Sequence, residues 1–407
     1  MKYVGWMICV VRLIIFYQLA YWCFHRLEAV NLLRPHVDPE AWLHPVELAR
    51  SLGYEAETHL VQTADDVVLE VHRIGKRLTR CDLRQLRRVP VILQHGLMSA
   101  SSGWVANSPQ QSLGFLLADA GFDVWLANSR GNVYSKRSAS SKPNFWAFTK
   151  DHLALVDAPA TIDYVLTTSE ATYVHFVGHS QGAFILLALL SERPEYADKI
   201  RLGVALAPVL KLTHANSLVS GFFRSMEVFR WLPDFEFMSN QKFPVNLVMN
   251  PVVCRLAPTI CASTMRLAAG GHRSQVNSTR MAVYASDVPA GTSFANFRHY
   301  TQTMLHGRFA KFDYGPSENV RRYSQRLPPD YELSRIRGRL ALFYCAADND
   351  ILAGAGHNEW LLKSLPRTSI VYSKVVRDIE HMDFQLGINA RRLVYDTLIK
   401  LLHANSR

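Results

Sequence analysis

Residues 173–192 read YVHFVGHSQGAFILLALLSE. The opening YVHFV is aromatic and β-branched, the composition of a short strand buried on both faces. The closing AFILLALL is apolar and rich in Ala and Leu, which favour helix. Between them lie Gly178, His179, Ser180, Gln181 and Gly182. This is G-x-S-x-G between a strand and a helix, the setting of a nucleophile elbow. A turn that tight requires glycine at 178 and 182, and it lifts Ser180 above the sheet edge. The following helix points its N-terminus at the serine, where its dipole favours a developing oxyanion.

The same rhythm extends on both sides. VPVILQHG (89–96), FDVWLANSRG (122–131), RLGVALAPV (201–209), LALFYCAADND (340–350) and SIVYSKVV (369–376) are short apolar runs, most of them ending in turns. Helical stretches at 111–120, 152–168 and 182–192 separate them, with Pro159 marking a kink or a start in the second. Alternating strands and helices predict an α/β protein with a mostly parallel, doubly wound sheet. Residues 56–74 predict an N-terminal hairpin around Ala64-Asp65-Asp66, because Val67, Leu69 and Val71 alternate with Val68, Glu70 and His72. The rhythm stops near residue 210 and resumes near 339. The aromatic and Met-rich interval, for example GFFRSMEVFRWLPDFEFM (221–238), reads as an inserted cap domain.

A serine hydroxyl is a poor nucleophile until a base takes its proton. With an elbow of this kind the chain order is Ser, then acid, then His. Glu380-His381-Met382-Asp383-Phe384 follows the last strand, so His381 is the expected base. The expected acid follows LALFYC, where Asp348 and Asp350 both qualify. The oxyanion hole takes one N–H from Gln181 and another from the loop Gln94-His95-Gly96-Leu97, where Leu97 is the expected donor. His95 precedes Ser180, the wrong order for a catalytic base, and reads as structural. His175 and His179 lie on a strand and a turn rather than one helix face, so no metal site is expected, and no cofactor.

The chain has 407 residues, 49% hydrophobic and 19% charged, which excludes disordered and collagen-like classes. Mean hydropathy of −0.01 argues against a multi-span membrane protein. Residues 3–24 are almost wholly apolar behind Lys2, with Arg12 in the middle, and residues 1–24 read as a secretory signal peptide or a signal anchor. Of six cysteines, Cys9 and Cys23 fall there. Cys254 and Cys261 are close enough to pair in an oxidising compartment, Cys345 reads as a buried thiol, and Cys81 stands alone. Asn277-Ser278-Thr279 is a glycosylation sequon, which suits the secretory route. The net charge of +11 does not imply nucleic acid, because the densest basic run, 76–88, is a connector rather than a groove-reading element. It suits solubility and attraction to anionic lipid surfaces.

Together these motifs resemble the acid lipase family of gastric and lysosomal lipases. Gln94–Leu97, Gly178–Gly182 and Glu380–Phe384 carry the likeness. So do Asn128-Ser129-Arg130-Gly131-Asn132 with Tyr134-Ser135, Phe145–Phe148, Asp157 with Pro159–Asp163, Ala207-Pro208, Pro289–Ser293 and Asp313-Tyr314-Gly315. The resemblance covers roughly residues 37–402. It implies the α/β-hydrolase fold, with a core of 25–210 and 316–407 and a cap or lid at 211–315. It selects Asp350 as the acid, because the family's aspartate closes an Asn-Asp dipeptide and Asn349-Asp350 matches it. The two glycines that precede that dipeptide in the family are replaced here by Ala347-Asp348. It also implies a cap disulfide at Cys254 and Cys261. The implied activity is extracytosolic hydrolysis of neutral lipid esters, triacylglycerols or cholesteryl esters, at a lipid–water interface. Phe222, Phe223, Phe229, Trp231, Phe235, Phe237 and Met238 line the lid, face that interface or form cap core. The rivals are an acyltransferase or short-ester esterase, and a non-catalytic lipid-binding protein on the same scaffold. Oligomeric state is open.

Overall fold

Alternation along each strand decides which face of the sheet it feeds. Ile92, Trp125, Phe176, Leu342 and Tyr344 join one buried cluster, while Val91, Leu93, Val124, Leu126, Val177, Phe343 and Cys345 join another. Two cores thus sandwich one sheet. They appear in a computed structural model that describes residues 37–76, 88–139, 144–213, 215, 217–241, 251–257, 259, 261, 263, 275–346 and 350–406. The apolar N-terminal stretch, Cys81, nearly all of the basic run 76–88, and Asp348 lie outside the described residues.

The strands are β1 (Glu55–Gln62), β2 (Val67–Gly75), β3 (Pro90–Gln94), β4 (Asp123–Ala127), β5 (Arg137–Ser138), β6 (Val174–His179), β7 (Ile200–Leu206), β8 (Glu236–Ser239), β9 (Ala290–Ser293), β10 (Leu340–Cys345) and β11 (Ile370–Val376). The main sheet runs β1-β2-β4-β3-β6-β7-β10-β11, with β5 paired to β2. The β1–β2 hairpin and the β2–β4 pair are antiparallel. Every pair in the main sheet from β4 through β11 is parallel. Helices cover both faces. α1 (Pro45–Ser51), α2 (Leu113–Asp119) and the C-terminal helix (Asp396–Ala404) lie with the second cluster, while α3 (Ala158–Thr168) and α4 (Gln181–Glu192) lie with the first.

The helix expected over 152–168 is one run of helical backbone, Lys150 to Thr168, with a change of register inside it. A π-helical turn, Leu153–Asp157, runs without a break in helical backbone into α3, and Pro159 follows directly after it. Pro159 therefore marks a change of helical register inside a continuous helix rather than a start. Between β7 and β10 the chain forms α5 (Ser217–Met226), the antiparallel β8–β9 pair, α6 (Met281–Asp287) and α7 (Phe294–His306). The short strands β5, β8 and β9 are not legible in the sequence, since two to four residues carry no periodicity. Among the described residues no helix is long and apolar enough to cross a membrane.

The elbow is where the layers meet most closely. A Cβ on Gly178 would stand 2.3 Å from the carbonyl of Gly182, and a Cβ on Gly182 would stand 2.3 Å from Gln94 O. Gly182→Ala is therefore expected to destabilise the fold by about 1–3 kcal/mol or more. Gly221, in α5, has no atom within 4 Å of such a Cβ. There alanine should be neutral or stabilising by up to about 1 kcal/mol. Denaturant midpoints measure both, and equal shifts would refute the packing argument.

Lys150 is wholly buried. Its Nζ donates to Thr303 Oγ1 at 2.8 Å and lies 4.3 Å from the ring centres of both Phe184 and Tyr300. Burial pulls its pKa from 10.5 down to about 7, opposed only by Asp151. The unfolded chain holds this proton up to its ordinary pKa, so from about 7 to 10.5 unfolding takes up a proton and stability rises with pH. Below that window the charged lysine imposes its full penalty. A tenfold change in proton affinity is worth about 1.4 kcal/mol. Lys150→Met should therefore raise stability by a few kcal/mol at pH 6 and by far less at pH 10. A gain independent of pH, read by thermal unfolding, would contradict this.

Candidate active site

Ser180 terminates β6 with φ 55° and ψ −112°, a left-handed conformation that a non-glycine residue adopts only when its surroundings enforce it. Its N–H donates to Leu206 O at 2.9 Å, and its carbonyl accepts from Ala183 and Phe184 in the first turn of α4. The neighbouring parallel strand and the helix together hold the turn. Ser180 Oγ lies 2.8 Å from His381 Nε2. His381 Nδ1 lies 3.1 Å from Asp350 Oδ2. The three residues come from three loops, at the C-terminal ends of β6, β10 and β11. Ser180, His381 and Asp350 are 8%, 2% and 5% exposed.

Asp350 sets the tautomer. Burial pushes its pKa up, but the His381 charge and hydrogen bond, with the Ala353 and Leu352 N–H groups, outweigh it and hold the carboxyl at about 2. Oδ1 accepts from Leu352 N at 2.9 Å and Ala353 N at 3.1 Å. The ionised Oδ2 can only accept, so His381 Nδ1 carries the proton and Nε2 is free to accept from Ser180 Oγ–H. The loop around His381 is fixed by Asp383, which accepts from Glu380 N and Gln275 N, both at 2.9 Å.

Two further histidines belong to this assembly. His179 Nε2–H donates to His381 O at 2.9 Å, and the two ring centres are 5.0 Å apart. Burial first, then the His381 charge, lowers its pKa to about 3. His95 accepts at Nε2 from Ser129 N at 3.0 Å and donates from Nδ1 to Gly96 O at 2.7 Å. Burial, against the Gly96 bond, lowers its pKa to about 4. Both rings are neutral struts. His95 joins the loop after β3 to the loop after β4, a structural place. His175 bonds to Ser406 Oγ at 3.0 Å, so the 175/179 pair converges on no common point. The sequence alone gives His179 no role, since a contact across 202 residues has no local signature.

The loop carrying Leu97 runs beside the nucleophile: a Cβ on Gly96 would come within 3.1 Å of Ser180 Cβ. Met98 takes φ 56°, and its carbonyl accepts from Ala290 N on β9 at 2.7 Å. Among the described residues neither Leu97 N–H nor Gln181 N–H is matched to an acceptor. Asn128 braces the same region, accepting from Ser101 N at 2.9 Å and donating to Glu70 O at 2.9 Å. Arg130 bridges Asp157 and Asp65 at 2.6–2.8 Å and ties the loop after β4 to the hairpin turn.

An apolar cluster adjoins the site. Val209, Leu212, Val219, Phe223, Phe297 and Met304 pack with Leu97, Ile351 and Leu352, which adjoin the loops of Ser180 and Asp350. Of the aromatic run, Phe223 is buried and stacks on Phe297 at 5.0 Å. Phe229, Phe237 and Met238 are partly buried, whereas Phe222, Trp231 and Phe235 are exposed. That segment is thus neither all core nor all surface. Cys254 and Cys261 form a disulfide, Cys345 is a buried free thiol, and Asn277 is partly exposed beside a 3-10 turn.

Residues 45–108 match a family model described as a partial alpha/beta-hydrolase lipase region, and 89–236 match the alpha/beta hydrolase fold. The chain is 35% identical to gastric triacylglycerol lipase of Bos taurus, over 90% of this chain and 92% of that one. It is 36% identical to lipase lipl-5 of Caenorhabditis elegans (91% and 94%) and 33% identical to human lipase member M (94% and 91%). Among solved structures, a putative lipase from Acinetobacter baumannii aligns with TM-score 0.52 at 11% identity, over 89% of this chain and 96% of that one. An epoxide hydrolase from Vigna radiata aligns with 0.51 at 14%, over 87% and 99%. The structural likeness therefore speaks for the fold alone. The sequence likeness goes further: the chain belongs to the α/β-hydrolase lipase family and is an enzyme of the carboxylic ester hydrolase class.

Proposed function

We propose that the protein is a serine lipase that hydrolyses neutral lipid esters, triacylglycerols or cholesteryl esters, through Ser180, His381 and Asp350. The observation that carries this reading is the continuous chain from Ser180 Oγ through the His381 ring to Asp350, at 2.8 and 3.1 Å, on an elbow with left-handed backbone. Ser180 Oγ attacks the ester carbonyl carbon while His381 Nε2 takes its proton. Asp350 keeps Nδ1 protonated and stabilises the imidazolium. The carbonyl oxygen, now negative, is received by the Leu97 and Gln181 N–H groups, each worth on the order of 10²–10³ in rate by comparison with other hydrolases. His381 returns the proton to the leaving alcohol, and the acyl-enzyme forms. Water then attacks the acyl carbon with His381 again as base, releasing the fatty acid and Ser180.

The lipid part of the reading rests on the apolar cluster and on the lipase relatives. We assign residues 211–315 as the cap, with α5 and the exposed Phe222 and Trp231 as the part that meets a lipid–water interface. The Cys254–Cys261 disulfide, with the basic and apolar N-terminus and the Asn277 sequon, supports a secretory-pathway protein, secreted or lysosomal.

Ser180→Ala and His381→Ala should each lower turnover on the order of 10⁴-fold or more with the thermal midpoint retained. Asp350→Asn should cost far more than Asp348→Asn; the reverse order would move the acid to 348. Triolein and cholesteryl oleate, tested beside short soluble esters, decide the substrate class. Turnover confined to short esters would end the lipase reading while leaving the triad intact.

A further inference from the structure

Gln181 follows the nucleophile, and its main-chain N–H is one of the two oxyanion donors in the mechanism above. Such an N–H, at the first residue of a helix, has no intrahelical acceptor of its own and is directed through the Ser180–Gln181 peptide plane, whose carbonyl accepts from Ala183 and Phe184. The Gln181 side chain is buried and doubly held. Gln181 Oε1 accepts from Asn296 Nδ2 at 3.0 Å and from Tyr300 Oη at 3.1 Å. Both donors sit on α7, four residues apart and so on one face.

Each donor is itself fixed. Asn296 Nδ2 also donates to Thr292 Oγ1 at 2.9 Å, and Asn296 N–H donates to the capping Ser293 Oγ at 2.9 Å. The Tyr300 ring lies against the buried Lys150 ammonium, which also contacts the Phe184 ring on α4 and donates to Thr303 on α7. Helix α7 thus grips the first turn of α4 at two levels: by hydrogen bonds at Gln181 and through the lysine at Phe184.

We propose that Asn296 and Tyr300 are positioning residues for the reaction, holding the Gln181 side chain so that its main-chain N–H is aimed at the developing oxyanion. This rests on the serine-hydrolase mechanism. The oxyanion exists only near the transition state, so a misdirected donor lowers turnover without weakening ground-state binding.

The test is a double-mutant cycle of wild type, Tyr300→Phe, Gln181→Met and the double variant, assayed on p-nitrophenyl butyrate. Tyr300→Phe keeps the ring over Lys150 and removes only the hydroxyl. It should lower kcat on the order of 10-fold, leave KM within about two-fold, and weaken inhibition by a trifluoromethyl ketone, which mimics the tetrahedral adduct, by the same factor as kcat. In the Gln181→Met background, where the acceptor is gone, Tyr300→Phe should add no further loss. Unchanged kcat in Tyr300→Phe, or losses that multiply in the double variant, overturns the proposal. Active wild type with insensitive variants defeats this inference alone, whereas inactive wild type defeats the serine-hydrolase mechanism and this inference with it.

Discussion

The first turn of α4 approaches β3 and β6 so closely that no side chain fits between them, and the rest of the site follows from that approach. With Gly178 and Gly182 both at the limit, the chain has one way to turn from strand to helix, and Ser180 takes the left-handed backbone that the turn demands. The same approach brings the helix N-terminus under the serine and the Gly96 backbone beside it. Ser180, the helix N-terminus and the Leu97 loop are therefore brought together by one steric constraint. Strain at Ser180 is on the order of 1–3 kcal/mol. It is offset by the Ser180–Leu206 hydrogen bond and the dense packing of Phe184 through Leu190.

Around this constraint the protein separates charge from polarity. Near the nucleophile the polar struts are neutral. His95 and His179 each have a donor or acceptor that defines the tautomer, and burial keeps both unprotonated far into the acid range. The carboxylate that faces His381 is charged, and it is charged because two backbone N–H groups and the imidazole surround it. An additional cation at His179 would compete with His381 for Asp350. Its exclusion suits the proposed mechanism, in which the cation facing Asp350 is the His381 imidazolium. Deeper in the molecule Arg130 joins three chain segments through two aspartates, while the Lys150 amine, whose charge burial disfavours, lies between α7 and α4.

What is legible in the sequence is whatever repeats at short range or sits at fixed offsets. The parallel strands announce themselves as apolar runs, the elbow as two glycines around Gly-x-Ser-x-Gly, and the candidate base as the histidine after the last strand. His381 does stand in hydrogen-bond reach of both Ser180 and Asp350. The choice between Asp348 and Asp350 comes from resemblance and not from the residues, because two carboxylates in one turn are alike until a loop folds. What is illegible is long-range. Asn296 and Tyr300 meet Gln181 across 115 and 119 residues, and nothing in their local sequence distinguishes them from other residues of an amphipathic helix. The strands β8 and β9 pair across some fifty residues and are four residues long, too short for periodicity.

The apolar cluster beside the site gives the proposed lipid reading its physical content. Ester chemistry at Ser180 is indifferent to whether the acyl chain is long or short; the surroundings of the serine are not. Val219 and Phe223 on α5 are buried in one cluster with Phe297, against which Leu97, Ile351 and Leu352 also pack, so withdrawing α5 into water would expose each at roughly 1.5–3 kcal/mol. Phe222 and Trp231, on the outward side of the same segment, are already 49% and 74% exposed. At an apolar aggregate the cost of the proposed opening would fall away. The outer aromatics gain burial against lipid, and the inner ones exchange one apolar neighbour for another. A dispersed short ester offers neither compensation. Under the proposed lipase reading, opening would be coupled to the physical state of the substrate rather than to its bond, and an acyl-transfer site would become selective for lipid through the surface uncovered to reach it.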